Sequence, residues 1–217
     1  MTALAIHPLG EAALCCHLPP PATLAQQARL WRLSAALNGH PGVEALTPGM
    51  NNLTVGFDPL ATDPAALEAD IQRTWQTLAT NETGEDTPTG RRVDVPVHYD
   101  GPDLADVAAH HGLSTDEVVR LHTAAEYVVY FIGFQPGFAY LGGLDPRLHT
   151  PRRAEPRTQV PAGSVGIGGA QTGIYPLASP GGWQLIGRTA LPLFNPAAEP
   201  PTLLAPGDRV RFVAEAL

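Results

Sequence analysis

Between Tyr127 and Pro192 the chain concentrates the residues best suited to hold a small anion. Arg147, Arg152, Arg153, Arg157 and Arg188 stand there against only Asp145 and Glu155, a local balance of +3. The whole chain carries −8, so the remainder sums to −8 − 3 = −11. A guanidinium fork matches the geometry of carboxylate and phosphate oxygens, so such an island fits an anionic ligand or an acidic partner surface. The competing reading is that these arginines are satisfied by backbone carbonyls and acids elsewhere in the fold. The same window holds 12 of the 22 glycines and 8 of the 23 prolines, which places the arginines on turns and short strands rather than on helices.

Several chemistries are disfavoured by residue type alone. All 13 basic residues are arginine, so the chain has no P-loop lysine, Schiff-base lysine or lysine base. In "GSVGIGGAQTG" the dinucleotide spacing fails, because Gln171 stands where the third glycine is needed after Gly166 and Gly168. A backbone anion nest and a set of bulges and tight turns between barrel strands both remain open there. No HExxH occurs and His110 and His111 are adjacent, so no metal site is expected. Ser164 lacks the spacing of a nucleophile elbow. His122 is the first choice for an acid or base, ahead of His98 and His149, with a structural helical histidine as the plainer alternative. Cys15 and Cys16, the two cysteines, are neighbours that read as small residues on a buried strand.

The elements that must position these residues follow from periodicity. "LAIHPLGEAALCCHL" reads as one strand or two short ones, broken by Pro8 and Gly10. Leu24, Ala28, Trp31 and Ala35 mark one helix face. "VEALTP" and "NLTVGFDP" form a hairpin candidate around Gly49, Met50 and Asn51. Asp63 and Pro64 open a second helix with a stripe of Leu67, Ile71, Trp75 and Leu78. The order β-α-β-β-α plus a strand predicts a ferredoxin-like α+β domain over residues 1–84. Thr80 to Gly90 is polar and aperiodic and reads as a linker. A second domain over 91–217 opens with Val93, Val95 and Val97. It continues through helical stretches at Leu104–His110 and Ser114–Thr123, the latter headed by a capping box of Ser114 and Glu117. Short β pieces then run to the end, as in a barrel or sandwich. The acidic balance disfavours nucleic acid. With no apolar run near ~18 residues and no signal-peptide pattern, a cytoplasmic protein without membrane contact is expected.

The segment "HTAAEYVVYFIGFQPGFAYLGGLDPRLHTPRRAEPRTQVPAGSVGIGGAQTGIYPLASPGGWQLIGRT", from His122 to Thr189, and the later "LLAPGDRVRF" closely resemble the family of 5-oxoprolinase B subunits. That family is also described as allophanate hydrolase subunit 1 and as the KipI type. Ala139, where the family usually has proline, and Asn195, where aspartate is common, depart from its pattern. The resemblance implies a ferredoxin-like domain followed by a cyclophilin-like β-barrel. It also implies the 5-oxoprolinase A and C subunits as partners, the latter of allophanate hydrolase subunit 2 type. The activity implied is an ATP-dependent opening of 5-oxo-L-proline to L-glutamate.

On that resemblance the site must bind a carboxylate, orient a ring amide and stabilise added negative charge. Arg152, Arg153, Arg157 and Arg188 are then the anion-binding candidates, with Gln171 and Tyr175 as amide or carbonyl partners. Pro136, Phe138 and Tyr140 would form an apolar wall, and His122 would act as acid or base. ATP is expected as a co-substrate of the complex rather than a ligand of this chain alone. The resemblance leaves two other functions open: inhibition of a sensor histidine kinase, and a component of allophanate hydrolase or urea carboxylase.

Overall fold

In the computed structural model, which describes residues 3–80 and 90–215, the first apolar stretch forms two strands rather than one. They are β1 (Ala5–Pro8) and β2 (Ala13–His17), paired antiparallel with His7 opposite Cys15. Helix α1 (Leu24–Leu37) is capped by Thr23, whose hydroxyl accepts from the Gln26 amide while the Gln26 side chain accepts from the Thr23 amide. The expected hairpin is present as β3 (Val43–Gly49) and β4 (Asn52–Phe57). Asn51 holds its turn at φ 58°, a left-handed conformation that asparagine tolerates. Asp63 accepts from the Ala65 amide and opens α2 (Pro64–Thr80), as its position predicts.

The four strands lie in the order β1-β2-β4-β3. Leu14, Cys16, Leu53, Val55 and Phe57 meet Leu30, Leu33, Leu37, Leu67, Ile71 and Trp75 in one buried cluster. The sheet differs from the expected order in one respect. Its fourth strand precedes α1 instead of following α2, because the turn after Pro8, with Gly10 at φ 67°, folds the leading segment into a hairpin. The chain divides into the units Met1–Pro88 and Thr89–Leu217. The expected linker falls on residues 81–89, outside the described residues, apart from Thr80, which ends α2, and Gly90.

The second unit opens with β5 (Arg92–Val97), α3 (Leu104–His111) and α4 (Thr115–Ala124). The capping box of α4 is formed, with the Ser114 hydroxyl accepting from the Glu117 amide at 3.2 Å and Glu117 accepting from the Ser114 amide at 2.8 Å. Then follow β6 (Tyr127–Ile132), β7 (Ala139–Gly142), β8 (Arg157–Val160), β9 (Ser164–Gly168), β10 (Gln171–Ile174), β11 (Ser179–Gly181), β12 (Gln184–Arg188) and β13 (Arg209–Ala214). Seven of them make one sheet in the order β12-β9-β10-β7-β6-β13-β5, while β8 and β11 form a separate ribbon.

The chain beyond β5 nearly closes this sheet into a barrel. His98 and Arg188 exchange both backbone hydrogen bonds at 2.9 Å, and the Gly101 and Asp103 amides donate to the Ile186 and Leu185 carbonyls. Val95, Leu121, Tyr127, Leu141, Ile167, Ile186 and Phe212 fill the interior. Asp208, buried in the turn before β13, accepts from the Arg91 and Ala205 amides and so pins the start of β5 to the end of the chain. Burying these polar groups is tolerable because each finds a partner.

Candidate functional site

Strand β10 divides the chemistry of this unit between two faces. Its alternation sends Thr172 and Ile174 inward and Gln171 and Gly173 outward. On the inner side Thr172 meets His122 of α4. The Thr172 hydroxyl donates to the Gly166 carbonyl at 3.0 Å, so its lone pair accepts from the Nε2–H of His122 at 2.9 Å. Nδ1 of His122 is then left to accept from the Tyr99 hydroxyl at 2.7 Å. Phe212 and Tyr127 pack against the ring at centroid distances of 4.4 and 5.4 Å. Burial drives the imidazole pKa down from 6.5 to about 3 and pushes the Tyr99 phenol well above its usual range. His122 is completely enclosed, with both ring nitrogens engaged. The geometry therefore does not support the acid–base role read from sequence, and this is the position of a satisfied core histidine.

On the outer side lies Trp183, and it accounts for the glycines of "GSVGIGGAQTG". A Cβ on Gly168 would stand 2.5 Å from the indole nitrogen, one on Gly173 3.1 Å from Cζ3, and one on Gly166 3.2 Å from the Trp183 Cβ. Gly166 and Gly173 are direct cross-strand partners, so these glycines share one face, and the indole lies across them. Gln171 pairs with Gly168 and so projects to the same face, at the nitrogen end of the indole. The glycine-rich segment is thus a floor for a tryptophan rather than an open phosphate loop.

Trp183 belongs to a small second core with Phe138, Tyr175, Val160 and Leu185. Phe138 and Tyr175, expected as wall and polar contact, are each only 2% exposed and are interior to this cluster. Tyr140 is half-buried and stacks on Phe131 at 4.2 Å. Pro136 is exposed in the β6–β7 loop beside Phe134, which is 60% exposed and held at φ 67°.

A strap of residues 150–157 runs alongside this cluster. Thr150 bridges to Gly169, the Gln184 side-chain Nε2 donates to the Pro151 carbonyl at 3.0 Å, and the Arg153 backbone amide donates to the Gly182 carbonyl at 2.7 Å. Arg152 is exposed, its guanidinium 5.9 Å from the Trp183 ring, and it has no carboxylate partner among the described residues. Burial raises the pKa of Tyr140 and Tyr175, and the charge of Arg152 opposes that rise at both. Arg153 and Arg157 converge on one oxygen of Asp103 at 3.1 and 2.6 Å, while its other oxygen accepts from the Leu185 amide at 2.6 Å. Asp103 is 2% exposed, and with Arg147 on Asp145 and Arg188 on Asp100 four of the island's five arginines have carboxylate partners, Arg153 and Arg157 sharing a single one.

The structure brings Arg152, Arg153, Arg157, Gln171, Tyr140 and Tyr175 around Trp183. It does not bring Arg188 there, since that side chain pairs with Asp100 at 2.9 Å at the other end of β12 from Gln184. Trp183 and Asp103 were missed by sequence reasoning. The period-two spacing of Gly166 and Gly168 was the available signal for a large side chain lying on that face. Among the described residues no group of three or more His, Cys, Asp or Glu is placed to hold a metal ion. No described helix is long and apolar enough to cross a membrane.

A family model described as carboxyltransferase domain, subdomain C and D, matches residues 4–204. Over 95% of this chain and 94% of the relative, the sequence is 55% identical to the 5-oxoprolinase B subunit of Escherichia coli O157:H7. The chain belongs to the family of 5-oxoprolinase B subunits. It is also 47% identical to the protein of that name from Haemophilus influenzae, over 98% of both chains. Among solved structures it resembles that of TTHA0988, with a TM-score of 0.80 and 37% identity across 94% of this chain. This chain spans 40% of that longer one.

Proposed function

We propose that this chain is the B subunit of a multi-subunit 5-oxoprolinase, working with the A and C subunits to convert 5-oxo-L-proline to L-glutamate at the expense of ATP. The observation that carries the reading is the 55% identity, across nearly the full length of both chains, to a protein named as a 5-oxoprolinase B subunit. The finer fold reading, a ferredoxin-like unit with its edge strand supplied from the front and a cyclophilin-like barrel, belongs to the same proposal, as does a cytoplasmic location.

The chemistry asks for three things. A lactam carbonyl is a poor electrophile, and ATP supplies its activation by phosphorylating the amide oxygen before water attacks. The substrate carboxylate must be held, and charge developing on the carbonyl must meet fixed donors. The residues described above match the second and third demands. Arg152, Arg153 and Arg157 offer guanidinium forks on a strap whose backbone is hydrogen-bonded to the barrel. Gln171 offers an amide, and Tyr140 a half-buried phenol at the rim.

ATP itself does not fit the glycine-rich segment. Gly166, Gly168 and Gly173 face the Trp183 indole, and the chain contains no lysine to reach a phosphate. We therefore place the nucleotide, and the acid–base groups that His122 does not supply, on the partner subunits or at a shared interface. This chain contributes positioning and electrostatics to a site it does not complete. Capture of this chain from native cells, followed by identification of its companions, tests the reading. Companions of the A and C types support it, whereas a sensor histidine kinase in their place overturns it.

A further inference from the structure

Donors outnumber acceptors around the Trp183 face. Among the described residues of the C-terminal unit, three buried side-chain polar atoms lack a hydrogen-bond partner: Arg153 Nε, Arg157 Nη1 and Gln171 Nε2. All are N–H groups, and none is an acceptor. The Trp183 indole N–H, at the end where Gln171 projects, also makes no hydrogen bond among the described residues. Arg152 beside it has no ion pair among them. Two guanidinium charges, those of Arg153 and Arg157, thus meet one carboxylate, that of Asp103. An unpaired buried donor is costly. A cluster of them, with a residual charge of +1 on the Asp103 pair and the exposed Arg152 beside Trp183, lacks one kind of group, an anionic acceptor with at least two oxygens.

We propose that Arg152, Arg153 and Arg157, together with the Gln171 amide and the Trp183 indole N–H, form a seat for an oxyanion carried by a small ligand. Trp183 serves as a donor and as the flat wall against which a planar ligand lies. The inference deepens the 5-oxoprolinase reading and rests on it for the ligand's identity: the oxyanion is then the carboxylate of 5-oxo-L-proline. A phosphoryl group shares the same recognition chemistry, and only experiment separates the two sources.

The chain contains three tryptophans, and the Trp183→Phe variant identifies which indole N–H resonance belongs to this site. That resonance is followed while the full chain, alone and in its native complex, is titrated with four probes. These are 5-oxo-L-proline, its carboxylate-free analogue pyrrolidin-2-one, inorganic phosphate and ATP. The expected result is a saturable shift with 5-oxo-L-proline and none with pyrrolidin-2-one. Arg152→Gln, at an exposed position where folding is not at stake, should weaken that binding by about tenfold. Response to phosphate or ATP without response to 5-oxo-L-proline keeps the oxyanion seat and removes its assignment to the substrate carboxylate. A resonance unmoved by all four probes, in the chain and in the complex, overturns the seat. Turnover of 5-oxo-L-proline by that same complex is measured in parallel, so that loss of the seat and loss of the enzymatic reading are told apart.

Discussion

Replacing His122 by phenylalanine tests whether this residue stabilises or catalyses. The substitution keeps an aromatic ring against Phe212 but leaves the Tyr99 hydroxyl without its acceptor, while Thr172 keeps its bond to the Gly166 carbonyl. An orphaned, part-buried hydroxyl beside the enclosed ring costs on the order of 2 kcal/mol, so the variant should be less stable by about that amount near pH 8. The gap should then close on acidification. Folded His122 stays neutral until about pH 3, while in the unfolded chain it gains a proton below 6.5. The unfolded state binds more protons in that window, so this contribution to stability is complete above 6.5 and is lost as pH falls toward the folded value. From the ordinary value down to about pH 5 the loss is roughly 2 kcal/mol, at about 1.4 kcal/mol per pH unit. The variant lacks this liability, so the two proteins should become about equally stable near pH 5. Urea titrations followed at the Trp183 indole resonance report the second unit alone. A stability gap that is unchanged between about pH 8 and pH 5 would refute the account of a neutral core imidazole. So would a fall of about a hundredfold or more in the turnover of the assembled complex, the signature of a lost acid or base.

Three further outcomes follow from single contacts. Gly168→Ala places a methyl group 2.5 Å from the Trp183 indole nitrogen, so it should displace the ring and destabilise the unit by about 1–3 kcal/mol, visible as a shifted Trp183 resonance. Asp103→Asn keeps an acceptor for the Leu185 amide but removes the charge shared by Arg153 and Arg157. Because both arginines are partly exposed, the loss should be nearer 2 kcal/mol than the larger values of deeply buried pairs, with the 150–157 strap cut earlier by a protease than in the parent. Burial pushes the Cys16 thiol up to about 12, so in the native chain a thiol reagent should label Cys15 first and reach Cys16 only on unfolding. Equal labelling rates would contradict the strand register that points Cys16 into the first core.

What was legible from sequence was local. Asp63 before Pro64, Ser114 three residues before Glu117, and the stripe of Leu67, Ile71 and Trp75 each report on one turn or one helix face, and the structure places them as expected. The misreadings concern contacts between distant residues. His122 is settled by partners 23 and 50 residues away, and Asp103 gathers arginines 50 and 54 residues away. A helical histidine flanked by Leu121 and Thr123 looks the same in sequence whether its ring meets solvent or a threonine of a distant strand. The glycines fail the phosphate-loop patterns, and the alternation of Gly166 and Gly168 fits a strand face kept bare for a large ring. The burial of Phe138 and Tyr175 in a second small core could not be read without knowing that β8 and β11 leave the main sheet.

The most direct test of the proposal is ATP-dependent release of L-glutamate from 5-oxo-L-proline by the reconstituted complex, with this chain present, omitted or supplied alone. The account predicts product only from the chain combined with its partner subunits. Turnover by the isolated chain, or undiminished turnover by the partners without it, would contradict the claim that this subunit holds part of a shared active site.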